Sequence, residues 1–577
     1  MVPTRNRDRW RRRHLALGLL VALPALAWAT AASLRSAGAA AGPEGSFFIV
    51  PIPDIDRPTA HATVGVDATG GVHVAFTPDT STSEDPTRPA YYAYCPSNCT
   101  SAAAFTVVPL GAHVDYANLV LDGTGHPRMI LRLTRPSDQK LVYEYWACDG
   151  SCTSGANWTS VVVAEAFPRP VATGEPFSRF FALDGAGRPR FVYFDGGADS
   201  EDPHWGLFLA GCDGGCTNAG NWGEVPLVQD SFASDFALAL GPDGQALLLF
   251  TSYDPDAIEW FVMYAECKSG CDNPAAWSAL RLLDRVSSSV TSPAEFSLRA
   301  DSAGRPRVAY YAGTGQGGTL PPNVLYYLSC SAGDCSQIQS WQALDLALPE
   351  LHGEGGVALA LDDQDRPRIA YHASLTAGDG LYYATCDSDC QTSAQGWWYG
   401  MVEPSAKVNQ ELPIPPYPGC EFPQCDPPVP ACSYSFWETG TRPAIALDAV
   451  GNPRIAYDAD HQQGGGCGTF TDTRLTRFAL FDQPGAPTTT TTTTLPQPGA
   501  CADPVALIAG ASATAAGSAL VTASDALFIL SAAVGTVTCD PCVCDADGQG
   551  TVAASDALLA LKKAVGEQIE LFCPPCT

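Results

Sequence analysis

Two kinds of stretch in this 577-residue chain carry side chains able to do chemistry. The first is a set of acidic and aromatic segments: SEDP at 83–86, DSEDPHW at 199–205, DPDAIEW at 254–260, ELHGEG at 350–355 and DADH at 458–461. Paired carboxylates can act as acid and base in glycoside cleavage. Carboxylates beside a Trp can bind a sugar through hydroxyl bonds and ring stacking. That selects Asp202, His204 and Trp205, with Asp256, Glu259 and Trp260, as candidate ligand-binding residues. The ordinary alternative is solvated acidic loops, because surface charge is the usual state. There is no Ser-His-Asp order and no HExxH, so the sequence names no nucleophile and the catalytic residues stay unknown.

The second is DADGQGTVAASD at 545–556. Positions 1, 3, 5 and 12 are Asp545, Asp547, Gln549 and Asp556, with Gly550 at the sharp turn. Closely spaced oxygen ligands around one turn are what calcium requires. One calcium site is expected. An earlier stretch, TAAGSALVTASD at 514–525, keeps only Asp525 of the acidic ligands, so a second site is not.

The elements that must position these residues come from a repeat. A stretch of the type ALDxxGxPRxxY recurs seven times, its Asp or the residue in that place at Asp67, Asp122, Asp184, Gly241, Asp301, Asp362 and Asp448. Two close cysteines follow in the first six units, as in Cys95/Cys99 and Cys386/Cys390. Five of the six then carry a Trp (Trp158, Trp222, Trp277, Trp341, Trp397), and Phe105 takes that place in the first. Each unit reads as four short strands with a Gly-containing hairpin turn between the first two. Four strands repeated at this period suggest propeller blades. The seventh unit has no fourth strand, while SFFIVPI at 46–52 precedes the first unit as an orphan strand. Pairing the two would close the ring and remove a sheet edge. The fold class expected is mainly β: a seven-bladed propeller over 46–482, with an insertion at 402–442 and closure by the N-terminal strand. The repeat resembles the generic bacterial β-propeller repeats of the NHL-like and BNR-like classes. The sialidase box S-x-D-x-G-x-x-W is absent, which tells against a sialidase.

Propeller geometry sorts the loops. The D-x-x-G turns and Cys pairs share one face. The links that differ between units share the other, where function is expected. The repeated Arg128, Arg190, Arg307, Arg368 and Arg454 read as structural, bonding turn carbonyls or a turn Asp; a ligand-binding ring of arginines is the alternative. The Cys pairs read as disulfides rather than zinc ligands, since each offers two thiolates and structural zinc takes four. Cys420, Cys425, Cys432 and Cys467 form a further even set around the insertion.

A Thr/Pro tract marks a linker at 483–500. Beyond it, SDALFILSAAVG at 524–535 is answered by SDALLALKKAVG at 555–566, with eight of twelve positions identical. Each has the start and stop signals of a helix. With its acidic loop, this segment at 501–577 resembles a type I dockerin. The resemblance implies a small α-helical pair of F-hand segments that binds calcium and docks onto a cohesin-type protein or cell-surface component. Cys501, Cys539, Cys542, Cys544, Cys573 and Cys576 flank the helices; two CxxC pairs, 539/542 and 573/576, leave zinc as an alternative to disulfides.

Residues 1–31 have the basic, apolar and small-residue order of a signal peptide. No second long apolar run follows, so no membrane span is expected after its removal. Net charge is −29, which argues against nucleic-acid binding. A bacterial-type secreted or cell-surface location is expected, by the Sec or the Tat route. The function expected is a non-catalytic binding or scaffold protein, whose propeller recognises a glycan or protein. The alternative is a secreted carbohydrate-active enzyme, a glycoside hydrolase or lyase, with its site on the variable face.

Overall fold

In the computed structural model the described residues are 46–482 and 523–572, less a set of connecting segments. In the first range these are 52–57, 80–86, 169–178, 198–204, 230–232, 255–258, 286–294, 313–323, 332, 347–355, 376–377, 415–417, 420–429 and 467–469. In the second they are 535–538, 540–543, 550, 566–568 and 570. The signal-peptide and linker readings lie outside the described residues. The chain divides into two compact units, Met1–Ala486 and Pro487–Thr577.

The first unit is a seven-bladed β-propeller, as its repeats imply. Seven four-stranded antiparallel sheets follow in sequence order. Their innermost strands are Thr59–Val66, Val114–Leu121, Phe181–Leu183, Ala233–Leu240, Glu295–Ala300, Val357–Leu361 and Tyr434–Leu447, in blades 1 to 7. Ser46–Pro51 pairs antiparallel with Phe470–Asp482 and supplies the outer strand of blade 7. The two ends of the unit thus satisfy each other's backbone groups and leave blade 7 no bare edge there.

Each hairpin turn is built alike. In blade 2 the Asp122 amide bonds the His126 carbonyl, the Gly125 amide bonds the Asp122 carbonyl, and Gly125 has φ +83°. Only the sixth blade departs, putting Asp365 at φ +61° where the others have Gly. The repeated Arg closes the turn. Arg307 donates from Nη2 to Asp301 Oδ2 at 2.7 Å and from Nη1 to the Cys330 carbonyl at 2.8 Å. Arg128, Arg368 and Arg454 bond Asp122, Asp362 and Asp448 in the same way. Each of these four therefore clasps the turn Asp of its own blade and ties the third strand's end to it.

The six predicted Cys pairs are disulfides, Cys95–Cys99 to Cys386–Cys390. The following Trp caps each short loop: Trp158 Nε1 donates to the Cys152 carbonyl at 2.9 Å, and Trp222 to Cys216 at 2.8 Å. The same Trp rings join blades. Trp158 packs edge-on to Tyr92 of blade 1 at 5.0 Å, Trp341 to Tyr264 of blade 4 at 4.9 Å, and Phe105 to Phe478 of blade 7 at 5.7 Å. Such a pair adds about 0.5–1.5 kcal/mol beyond its area burial. The repeat therefore holds the ring as well as each blade.

Among the described residues the second unit has two helices, Ala523–Ala533 and Ala554–Ala564, packed around Ile529, Ala546, Ala557 and Ala560. Cys539 bonds Cys544 rather than Cys542. Cys501, Cys542, Cys573 and Cys576 lie outside the described residues. Within the insertion, Ser405–Glu411 is a short helix, and Cys432 is disulfide-bonded.

Candidate functional site

The blades agree up to the fifth residue of strand two, and there they stop. The residue ten positions after the turn Asp is Thr77, Arg132, Phe194, Thr251, Tyr311, His372 and Asp458 in blades 1 to 7. These side chains lie toward the face opposite the turns. Blades 6 and 7 place His372 and Asp458 there, and titratable groups gather around both.

His372 lies on Pro367–Leu375 of blade 6, its imidazole fully buried. Its Nε2 is 3.2 Å from Asp379 Oδ1 and 3.4 Å from Glu438 Oε1. One ligand atom from each of the three lies within 4.8 Å of the others. The Asp379 side chain is 33% exposed and that of Glu438 21%, so both carboxylates can be reached from solvent. Ser405, at the start of the insertion helix, donates its hydroxyl to Asp379 Oδ2. Burial raises the Asp379 carboxyl, but the hydrogen bonds from His372 and Ser405 and the His372 charge outweigh it; the net position is below the ordinary value.

Three elements bring these groups together. His372 and Asp379 face each other across a hairpin in which His372 pairs with Leu381. Glu438 comes from the innermost strand of blade 7. That strand bulges between Thr439 and Ala444, and Gly440 there has φ +94°. A Cβ on Gly440 would lie 2.6 Å from Leu381 Cα. Only a glycine lets blade 7 approach so closely, and this contact sets Glu438 beside His372.

Asp458 is fully buried. It accepts from the His61 amide at 3.1 Å, and Arg442 Nη1 is 3.7 Å away. Burial pushes its carboxyl up to about 7, with Arg442 and the His61 amide acting the other way and Asp460 adding to the rise. Arg442 also bonds both oxygens of Asp460, at 3.1 and 2.9 Å. Arg474 reaches Asp79 of blade 1 at 3.3 Å and Asp460 at 3.7 Å. This network spans the ring closure between blades 7 and 1. His61 (φ +60°) and Arg442 (φ +47°) hold left-handed backbone beside it, a strain that a non-glycine residue tolerates only where its surroundings impose it.

The arrangement around His372 can do two things. Two accessible carboxylates this close can share acid/base or nucleophilic work on a glycoside. One imidazole and two carboxylates also have the donor set for a divalent transition metal.

The sequence-predicted residues fare unevenly. Asp202, His204 and Asp256 lie outside the described residues. Trp205 is half-buried and packs against the blade 3 core. Glu259 and Trp260 begin the third strand of blade 4, opposite Asp254 and Tyr253. Of the segments first singled out, DADH alone is wholly described, and it supplies Asp458 and Asp460. His372, Asp379 and Glu438 were not foreseen. The signal available for His372 was its place at the first variable position after the repeated PRIAY.

In the second unit, carboxylate oxygens of Asp545, Asp547 and Asp556 come within 4.8 Å of one another. Asp545 and Asp556 are fully buried. The Gln549 amide donates to Asp545 Oδ1 and Asp547 Oδ1 at 3.0 and 3.1 Å, and the Asp547 amide to Asp556 Oδ1 at 2.9 Å. An all-oxygen set gathered on one loop fits a hard cation.

No family model and no curated protein sequence matches the chain. Among solved structures it is similar to an α-L-arabinanase from Penicillium chrysogenum, at 13% identity and a TM-score of 0.38 over 57% of this chain and 93% of that one. It is also similar to an α-L-arabinofuranosidase from Fusarium graminearum, at 12% identity and a TM-score of 0.40 over 61% and 100%. A third is the NanB sialidase of Streptococcus pneumoniae, at 9% and 0.35 over 73% and 68%. At these identities the likeness is one of fold: the protein is a propeller. The expectation of a non-catalytic binding or scaffold protein is corrected at this point. The three structures named above are of glycosidases, none of them a binding or scaffold protein, so the leaning against an enzyme has no support among them; their likeness assigns no activity to this chain.

Proposed function

We propose that the protein is an exported glycoside hydrolase acting on a polysaccharide, with Asp379 and Glu438 as its carboxylate pair. The observation that carries this reading is the meeting of these two accessible carboxylates at His372 Nε2, on the face where the blades differ. Oxygens of the two carboxylates lie within 4.8 Å of each other, closer to the roughly 5–5.5 Å between carboxyl groups of retaining enzymes than to the roughly 6.5–9.5 Å of inverting ones. In this reading Asp379, kept ionised by His372 and Ser405, attacks the anomeric carbon. Glu438 protonates the departing glycosidic oxygen and then activates the water that releases the sugar. Asp202, His204, Trp205, Asp256, Glu259 and Trp260 are proposed to bind the glycan from blades 3 and 4, across the ring from the carboxylate pair. Export is supported by seven disulfides among the described residues, which belong to an oxidising compartment. Among those residues no helix is long and apolar enough to cross a membrane.

The test is incubation of the purified protein with a panel of polysaccharides, arabinan among them, with and without a chelator. Release of reducing ends that survives chelation is expected. Release that the chelator abolishes would replace direct acid/base work by a metal at His372. No release from any substrate would sink the reading.

For the C-terminal unit the proposal is one calcium ion held by Asp545, Asp547, Asp556 and an oxygen of Gln549. A dockerin-like role toward a cohesin-type partner rests on the resemblance of that loop alone.

A further inference from the structure

The axis of the propeller contains a pair of charges that no carboxylate among the described residues neutralises. Arg179, just before the innermost strand of blade 3, and Arg299, on that of blade 5, line one small cavity with His61, Tyr116, Ser297 and Arg442. The cavity is about 40 Å³. Arg179 donates from Nη2 to the Val64 carbonyl at 2.8 Å and the Ile445 carbonyl at 3.4 Å. Arg299 donates from Nη1 to its neighbour's carbonyl, Leu298, at 2.7 Å. Among the described residues no carboxylate comes within ion-pair distance of either. Asp458 and Asp460 of blade 7 are engaged by Arg442, and Asp460 also by Arg474.

A guanidinium carries five N–H donors and stays charged. Carbonyls satisfy only part of that capacity and none of the charge. Both residues are half-buried, so each carries part of the several kcal/mol that an unpaired, fully buried charge would cost. Here two of like sign share a cavity, and each makes the other worse. Burial pushes Arg179 down to about 10, and burial together with the Arg179 charge pushes Arg299 well below its ordinary value.

We propose that Arg179 and Arg299 hold a small inorganic anion of chloride size in the axial cavity. The volume selects the class: one water-sized sphere needs about 10–15 Å³ of such space, so the cavity holds a few of them, enough for a small ion and too little for a sugar ring or a uronic acid. The anion neutralises both guanidinium groups and accepts the donors that the carbonyls leave over. Because Arg179 also bonds Val64 of blade 1 and Ile445 of blade 7, the anion ties blade 5 across the axis to the ring closure.

The test uses the full chain. Thermal unfolding is followed in sodium chloride, bromide, nitrate and gluconate at one ionic strength and one sodium concentration. A saturable rise in melting temperature of about 2 °C or more is expected in chloride, bromide and nitrate over gluconate, which is too large to enter. Arg299→Gln should abolish the difference between chloride and gluconate. Should that variant not fold, a crystal of the unaltered protein soaked in bromide gives the second readout, with anomalous density expected between the two guanidinium groups. Equal melting temperatures in all four salts, a chloride response that survives Arg299→Gln, or a bromide-soaked cavity without density would each overturn the proposal. None of these readouts depends on activity, so they stand apart from the test of the hydrolase.

Discussion

Arg307 and Asp301 form a buried clasp, with Nη2 2.7 Å from Oδ2 and both side chains almost fully buried. Blade 4 lacks both partners at once: Gly241 stands in place of the Asp and Leu247 in place of the Arg. Blade 1 keeps Asp67 and substitutes His73, whose Nε2 lies 3.2 Å from Asp67 Oδ2. In blade 3 the pattern shifts: Arg188 takes Asp184, and Arg190 bonds Asp213 instead. In every blade that carries it the Arg is spent on internal carboxylates and carbonyls, as a structural role requires. A ring of ligand-binding arginines would not need the matching acids.

Breaking this clasp from one side leaves a buried charge alone. Arg307→Leu is expected to cost about 3–5 kcal/mol in denaturant unfolding. The pair Asp301→Gly and Arg307→Leu, which copies blade 4, should lose less than the sum of the two single changes. Strict additivity would show that the clasp is not a coupled unit.

The acid pair predicts a loss of activity without a loss of fold. Asp379→Asn and Glu438→Gln should each reduce hydrolysis by about 10²–10⁴-fold on any polysaccharide the protein cleaves, with melting temperatures close to that of the parent. Full activity in either variant would remove that residue from the mechanism.

Asp458 makes the stability of the propeller fall as pH rises. Its carboxyl titrates at about 7 in the folded chain, chiefly through burial, against an ordinary value of 3.8. Below 3.8 the proton is bound in both states. Between the two values only the folded state holds it, so this contribution shrinks as pH climbs and is gone above about 7. Asp458→Asn removes the dependence. From pH 5 to pH 8 the variant should gain on the parent, by at most about 3 kcal/mol. Unfolding midpoints that move in parallel would contradict this.

Calcium titration of the full chain by calorimetry should give one binding event, absent in Asp545→Ala. The helices Ala523–Ala533 and Ala554–Ala564 should also unfold at a higher temperature with calcium than without it. Equal heats in the two proteins would exclude the loop as the site.

The seven blades, the hairpin turns, the six disulfides and closure by residues 46–51 were all legible in the chain, because each follows from local spacing. A period-two apolar pattern makes a strand, a glycine after D-x-x makes the turn, and cysteines four or five apart in a hairpin end can only meet each other. The repeated Arg was legible as structural for the same reason, since its Asp lies six residues away in the same blade. The variable face was legible as a place, and DADH as part of it.

What met on that face was not legible. His372, Asp379 and Glu438 come from three strands of two blades, and no local pattern joins position 372 to position 438. Their meeting depends on the bulge at Gly440 and on its contact with Leu381, which are set by how two twisted sheets pack. The same holds for Arg179 and Arg299. In sequence each is a single Arg at the start or end of a strand. Only the closed ring turns both toward one axis, where the two charges share a cavity.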